Sequence, residues 1–177
     1  MLDTLITSKT RVKLLMKFFL NSNSASYLRN LSKEFEESSN SIRLELNKFE
    51  KAGLLSSELR GNRKYFQANT NHPLFSSIHN LLIKHLGIDR VIDNVIDELG
   101  DLSKVYLVGD FAQGKDSSII DLIFVGENIN ANYLLSIIQK SERLIERKIR
   151  YMVFKQDEAR EYLLKKDASE YLLLWEK

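Results

Sequence analysis

Residues 38–68, SSNSIRLELNKFEKAGLLSSELRGNRKYFQA, hold a start signal, an amphipathic run, a stop signal and two extended stretches around a basic turn. The polar run 38–41 supplies side-chain oxygens that can accept hydrogen bonds from the first free N–H groups of a helix. Ile42, Leu44, Leu46, Phe49 and Ala52 then recur at roughly three-to-four-residue spacing, with Ser39, Asn40, Arg43, Asn47 and Lys48 largely on the other side. Gly53 follows the last turn, where a left-handed cap costs glycine little. Between the extended stretches 54–59 and 64–68 sits Arg60-Gly61-Asn62-Arg63, whose Gly and Asn tolerate positive φ and whose arginines flank the tip.

The plainest reading is a helix and hairpin of an ordinary α+β domain with solvated charges. The segment just upstream favours a more specific one. Tyr27, Leu28, Leu31 and Phe35 fit a short helix, and residues 36–39 are a brief connection to the next. Two short helices joined by a tight turn and followed by a hairpin make a winged helix-turn-helix. On that reading Ser39, Asn40, Ser41, Arg43 and Asn47 face base edges and phosphates of double-stranded DNA, and Arg60, Asn62, Arg63 and Lys64 hold its backbone or minor groove.

Charge is distributed accordingly. The chain of 177 residues carries a net +2, but residues 1–87 hold 13 Lys and Arg against 7 Asp and Glu, a net +6, while 88–177 hold 13 against 17, a net −4. A basic half is what an electrostatic nucleic-acid footprint on one domain produces. The absence of Cys removes disulfides, thiolate zinc sites and cysteine nucleophiles, and three scattered His do not make a metal site, so no cofactor and no metal is expected. No apolar run reaches a membrane span, and no signal peptide opens the chain; the expected location is the cytoplasm, away from membranes.

Upstream, residues 7–10 cap a first helix with Val12, Leu15, Met16, Phe19 and Leu20 on its apolar face and Lys9, Arg11, Lys13 and Lys17 in water. Downstream, the only proline, Pro73, opens a broadly apolar helix to Leu86 that reads as a dimerisation element. His72, His79 and His85 in this region read as surface or packed residues. A further helix over 88–99 carries Asp89, Asp93, Asp97 and Glu98 as a solvated acidic face, and Gly100-Asp101 punctuates. Strands follow over 105–108, 121–125 and 149–154, with a helix over 130–145, apolar at Leu134, Leu135, Ile138, Leu144 and Ile145, and another over 156–165. The architecture is α+β: residues 1–72 as the winged domain, 73–100 as a helical linker and dimerisation region, and 101–177 as a small α/β domain with a mixed sheet.

Between the first two of those strands, the run 108–122, VGDFAQGKDSSIIDL, resembles the signature of minimal nucleotidyltransferase domains of the polymerase-beta superfamily. The resemblance implies a Gly-Ser backbone cradling a triphosphate, two strand carboxylates at i and i+2 holding Mg²⁺, and a third carboxylate from a later strand. Gly109, Ala112, Gly114, Asp121 and Leu122 match. Asp110 stands in place of the serine, Ile119 in place of the first aspartate, and residues 148–152 contain no carboxylate. The expectation is a vestigial nucleotide site at Gly109, Asp110, Gly114 and Asp121 without catalytic residues, in a protein that is not an enzyme.

The first half resembles bacterial and archaeal transcriptional regulators in which an ArsR-like winged helix is fused to such a domain. The resemblance rests on Ser8-Lys9-Thr10-Arg11, on 45–55 across the second short helix, on Gly61-Asn62-Arg63-Lys64-Tyr65-Phe66, and on His72-Pro73-Leu74-Phe75. It implies a homodimeric, sequence-specific DNA-binding regulator. Two other classes stay open: an active nucleotidyltransferase in which Asp110 and Asp116 join Asp121 around a metal, and a winged-helix module that binds protein. Operator, effector, direction of regulation and any nucleotide or protein ligand of the second half are left undetermined.

Overall fold

A computed structural model describes residues 2–96, 99 and 101–177. The chain divides into two compact units, residues 1–82 and 83–177. The division falls inside the helix that opens the expected linker.

The first unit begins with α1 (Leu2–Leu5) and α2 (Lys9–Leu15), whose start is fixed by the Ser8 hydroxyl accepting the Arg11 N–H at 3.3 Å. The chain continues through a fully buried π-helical turn, Met16–Leu20. Strand β1 (Ala25–Tyr27) leads into α3 (Leu28–Phe35), so Tyr27, expected to open a helix, ends a strand instead. Three residues later α4 (Ser39–Lys51) starts under the Ser38 hydroxyl, which accepts the Ser41 N–H at 3.2 Å. It stops at Gly53 (φ +74°), where Leu54 N–H donates back to the Phe49 carbonyl at 2.9 Å. β2 (Leu55–Arg60) and β3 (Arg63–Ala68) form the hairpin, with Gly61 at φ +58° in its turn, and the antiparallel sheet has the order β1-β3-β2. The first unit ends within helix α5 (Phe75–Leu86), where His79 Nδ1 lies 2.9 Å from the Phe19 carbonyl and the Phe19 and Phe75 rings are 5.8 Å apart.

Two expectations about helix faces are corrected. Leu44 is 54% exposed and Ala52 is exposed, while Ile42, Glu45, Leu46 and Phe49 are buried. Leu44 lies two residues from both Ile42 and Leu46, about 200° around the helix, and so points away from the core. Lys17, expected in water, is buried against Glu34 at 2.8 Å, and Arg11 and Lys13 are half-buried.

The second unit opens with α6 (Ile88–Ile96), burying Ile88, Val91, Ile92 and Val95. Asp97, Glu98 and Gly100, part of the acidic run and of the expected break, lie outside the described residues. β4 (Asp101–Val108), the short turn α7 (Gly109–Ala112), β5 (Ile119–Glu127), α8 (Ala131–Ile145), β6 (Lys148–Phe154) and α9 (Gln156–Leu163) follow. After a 3₁₀ turn, β7 (Tyr171–Glu176) pairs with β4, an edge strand the sequence reading did not identify. The sheet order is β6-β5-β4-β7, antiparallel except for β5 beside β6, which α8 connects as a crossover. Leu135 and Leu144, expected on the inner face of α8, are 46% and 60% exposed, and Ile137 and Ser141 are buried instead. On one sheet face Val108, Ile123 and Val125 pack with Ala159 of α9, flanked by Tyr106, Met152, Phe154 and Tyr162.

Candidate functional site

Two places gather side chains with chemistry, one in each unit. In the first, α4 and the β2–β3 hairpin bound an open groove of about 650 Å³ lined by Tyr27, Leu28, Arg29, Ser39, Arg43, Leu46, Asn47, Asn62, Arg63, Lys64 and Phe66. Six of the nine residues expected to meet DNA therefore share one surface: Ser39, Arg43, Asn47, Asn62, Arg63 and Lys64. Asn40 is exposed on the first turn of α4 outside that lining, and Ser41 turns inward, its hydroxyl 3.2 Å from that of Thr10. Arg60 stands over the Tyr65 ring at 4.9 Å and pairs with Glu58, away from the groove.

Charge in the groove is arranged by its neighbours. Arg63 lies over the Tyr27 ring, 4.8 Å from its centroid, so the ring holds the guanidinium without neutralising it. Lys64 is tied to Glu50 at 2.7 Å, and its hydrogen bond, with one from Ser57, holds the Glu50 carboxyl below its usual range. Arg29, Arg43 and Arg63 make no ion pair among the described residues. Tyr27 and Arg29 were missed from sequence. The available signal was position: α3 buries Leu31 and Phe35, which leaves Arg29 on its outer side.

Behind α4, ionic contacts from α2 fix its placement. Arg11 Nε donates to Glu45 Oε2 at 2.8 Å and Lys48 Nζ to Glu45 Oε1 at 2.9 Å. Lys13 Nζ donates to Glu37 Oε1 at 2.8 Å and to the Phe35 carbonyl at 2.9 Å, and Thr10 also donates to Glu37. The hydrogen bond from Arg11 pulls the Glu45 pKa down against its burial, helped by Lys48. For Glu37 burial pushes up, but Lys13 and Thr10 together outweigh it and the net shift is downward.

In the second unit, Gly109 follows β4 at φ +70° and α7 places Phe111 and Ala112 in the core. Gly114, at φ +75°, ends the turn, where Lys115 N–H donates to the Asp110 carbonyl at 2.9 Å. The Asp110 side chain is exposed. Arg147 lies over the Phe111 ring at 5.1 Å and reaches Asp116 Oδ1 at 3.0 Å, pinning the loop ahead of β5. Asp121 meets Arg150, its register partner on β6: Arg150 Nε donates to Oδ1 at 2.5 Å and an Nη to Oδ2 at 3.0 Å. The hydrogen bonds to Asp121 and its charge raise the Arg150 pKa.

The Mg²⁺ that the family resemblance implies does not fit these residues. Both Asp121 oxygens accept from Arg150, Ile119 offers no oxygen, and among the described residues no three His, Cys, Asp or Glu side chains are grouped to hold a metal ion.

No family model matches the chain, and no curated protein matches it. Solved structures do. A chain from Sulfolobus solfataricus named as a candidate nucleotidyltransferase is 20% identical, with 58% of this chain and 88% of that one covered and a TM-score of 0.39. The toxin–antitoxin MntA–HpeT, in a mutant form, is 19% identical over 51% of this chain and 72% of that one, with a TM-score of 0.40. A toxin–antitoxin structure with AMP-PNP is 17% identical, covering 50% and 73%, TM-score 0.40. The chain's own architecture is α+β, with an N-terminal helical region and a C-terminal mixed sheet. The expectation that the chain is not an enzyme is corrected on these matches. The solved structures this chain is similar to include one named as a candidate nucleotidyltransferase and a toxin–antitoxin solved with AMP-PNP.

Among the described residues no helix is long and apolar enough to cross a membrane.

Proposed function

We propose that this chain is a sequence-specific DNA-binding transcriptional regulator. In this reading residues 1–72 are an ArsR-like winged helix-turn-helix, α4 enters the major groove, and the β2–β3 hairpin is the wing on the adjacent backbone or minor groove. The observation that carries it is the shared groove, in which Arg29, Arg43 and Arg63 converge from α3, α4 and the hairpin with Ser39, Asn47 and Asn62 among them. Cations supply sequence-independent attraction to phosphate, and short polar side chains and arginine supply base-edge hydrogen bonds.

The regulator works as a homodimer on a palindromic site. Helix α5 and the turn residue before it, within the proposed 73–100 linker, support this: Leu74 and, on the helix, Leu81 are 54% and 36% exposed, with half-buried Ile78 between them. Selection from a random duplex pool tests the reading. An enriched inverted repeat bound by two copies is expected; a pool that stays random overturns it.

A second reading is nucleotidyl transfer by the second unit, proposed as residues 101–177. It rests on the retained frame alone, in which a Cβ at Gly109 would lie 2.3 Å from Asp121 Oδ2; with Asp121 held by Arg150, it needs a carboxylate set other than the one the resemblance implies. Transfer of label from an α-³²P nucleoside triphosphate to protein or nucleic acid tests it.

A further inference from the structure

We propose that Arg150 is the resident cation of the second unit's strand site, and that Asp121 consequently binds no divalent metal ion. The inference stands apart from DNA binding and concerns the ion alone.

The two residues are register partners on the neighbouring parallel strands β5 and β6, so their side chains leave the same sheet face. Their contact is a two-point fork: Arg150 Nε to Oδ1 at 2.5 Å and Nη to Oδ2 at 3.0 Å. Such pairing uses the two directions in which a carboxylate would otherwise coordinate a metal. Asp121 is also closed in, its side chain 13% exposed against 71% for Arg150, with Gly109 backed directly onto Oδ2. Two residues earlier on the same face stands Ile119. An incoming Mg²⁺ or Mn²⁺ would have to expel the guanidinium, which the charge of Asp110 as well as Asp121 holds in place, and hard divalent ions need several oxygen ligands, more than these two side chains supply. A covalently attached positive charge, present at every metal concentration, outcompetes that arrangement.

Arg150 is thus the determinant of metal exclusion, and its exchange for a carboxylate should create a metal site. In Arg150→Glu two carboxylates face each other across β5 and β6. Electron paramagnetic resonance of free Mn²⁺, titrated against the full chain, reads this out. Wild type should take up no Mn²⁺ at an Asp121-dependent site, and Arg150→Glu should bind one ion with a Kd on the order of 0.1–1 mM. Asp121→Asn added to Arg150→Glu should abolish that uptake. Mn²⁺ uptake by wild type that Asp121→Asn removes would overturn the proposal, as would a folded Arg150→Glu protein that binds none. If circular dichroism shows Arg150→Glu unfolded, the Arg150→Asn/Ile119→Asp variant, which pairs two strand carboxylates at i and i+2, takes its place with the same two outcomes.

Discussion

Arg11 of α2 and Glu45 of α4 are joined by two hydrogen bonds, Nε to Oε2 at 2.8 Å and Nη to Oε1 at 3.3 Å, with the Glu45 side chain only 10% exposed. A carboxylate on the buried side of a helix needs such a partner. The contact therefore fixes how α4 is turned and which of its residues face the groove. Glu45→Ala removes it and leaves Arg11 and Lys48 without their acceptor. Because Arg11 is 39% exposed, the expected loss is about 1–2 kcal/mol, between an exposed and a buried pair. Urea unfolding measures it; an unchanged midpoint would contradict the assignment.

Glu37 and Glu45 both have pKa values lowered in the folded chain. A lowered carboxylate pKa contributes stability above its unfolded value, about 4.3, and that contribution is lost as pH falls through the folded value. The urea midpoint of the first unit should hold from pH 7 to about pH 5 and then drop towards pH 3. Glu45→Gln should flatten the drop. An identical pH profile in the variant would remove Glu45 from this account.

Within α4, Ile42 is fully buried and Leu44 is 54% exposed. Ile42→Ala should cost about 2–5 kcal/mol through lost burial and a cavity, while Leu44→Ala should stay within about 0.5 kcal/mol. Equal costs would restore Leu44 to the core face.

These residues show what the sequence could and could not reveal. Ser38, Gly53 and Gly61 are local signals, decided within a few bonds, and they placed α4 and the hairpin closely. Glu45 is a distant matter: a periodicity argument puts a carboxylate outside, and only Arg11, 34 positions away, makes its inward position stable. Strand β1 has three residues, too few for alternation to register, and β7 reads YLLLWE, a run that is recognised as a strand only once β4 is beside it. The Asp121–Arg150 pair depends on the register set by the α8 crossover, which no local pattern encodes. The groove was legible in its α4 and hairpin parts and incomplete at Tyr27 and Arg29, which enter it from the end of β1 and from α3.

Arg43 and Arg63 occupy the same groove from different elements and should separate by function. Arg43→Ala should weaken binding at a selected sequence by roughly 1–3 kcal/mol and less on random duplex, as expected for a base contact. Arg63→Ala should weaken both alike and reduce the slope of log K against log salt by about 1. Equal losses on all DNA for Arg43→Ala would make it a phosphate contact. Arg29→Ala is expected to behave as Arg63→Ala does.

Gly109 combines φ +70° with direct contact to Asp121, where an added Cβ would lie 2.3 Å from Oδ2. Gly109→Ala should destabilise the second unit by about 2–3 kcal/mol, from the left-handed conformation and the displaced carboxylate. Differential scanning calorimetry of the full chain should show the loss in the second unit's transition.

The most direct test of DNA binding is fluorescence anisotropy of the purified chain with random duplex at two salt concentrations. The account predicts binding at low salt that weakens steeply as salt rises, through release of counterions from the phosphates facing Arg29, Arg43 and Arg63. No binding at low salt would contradict it.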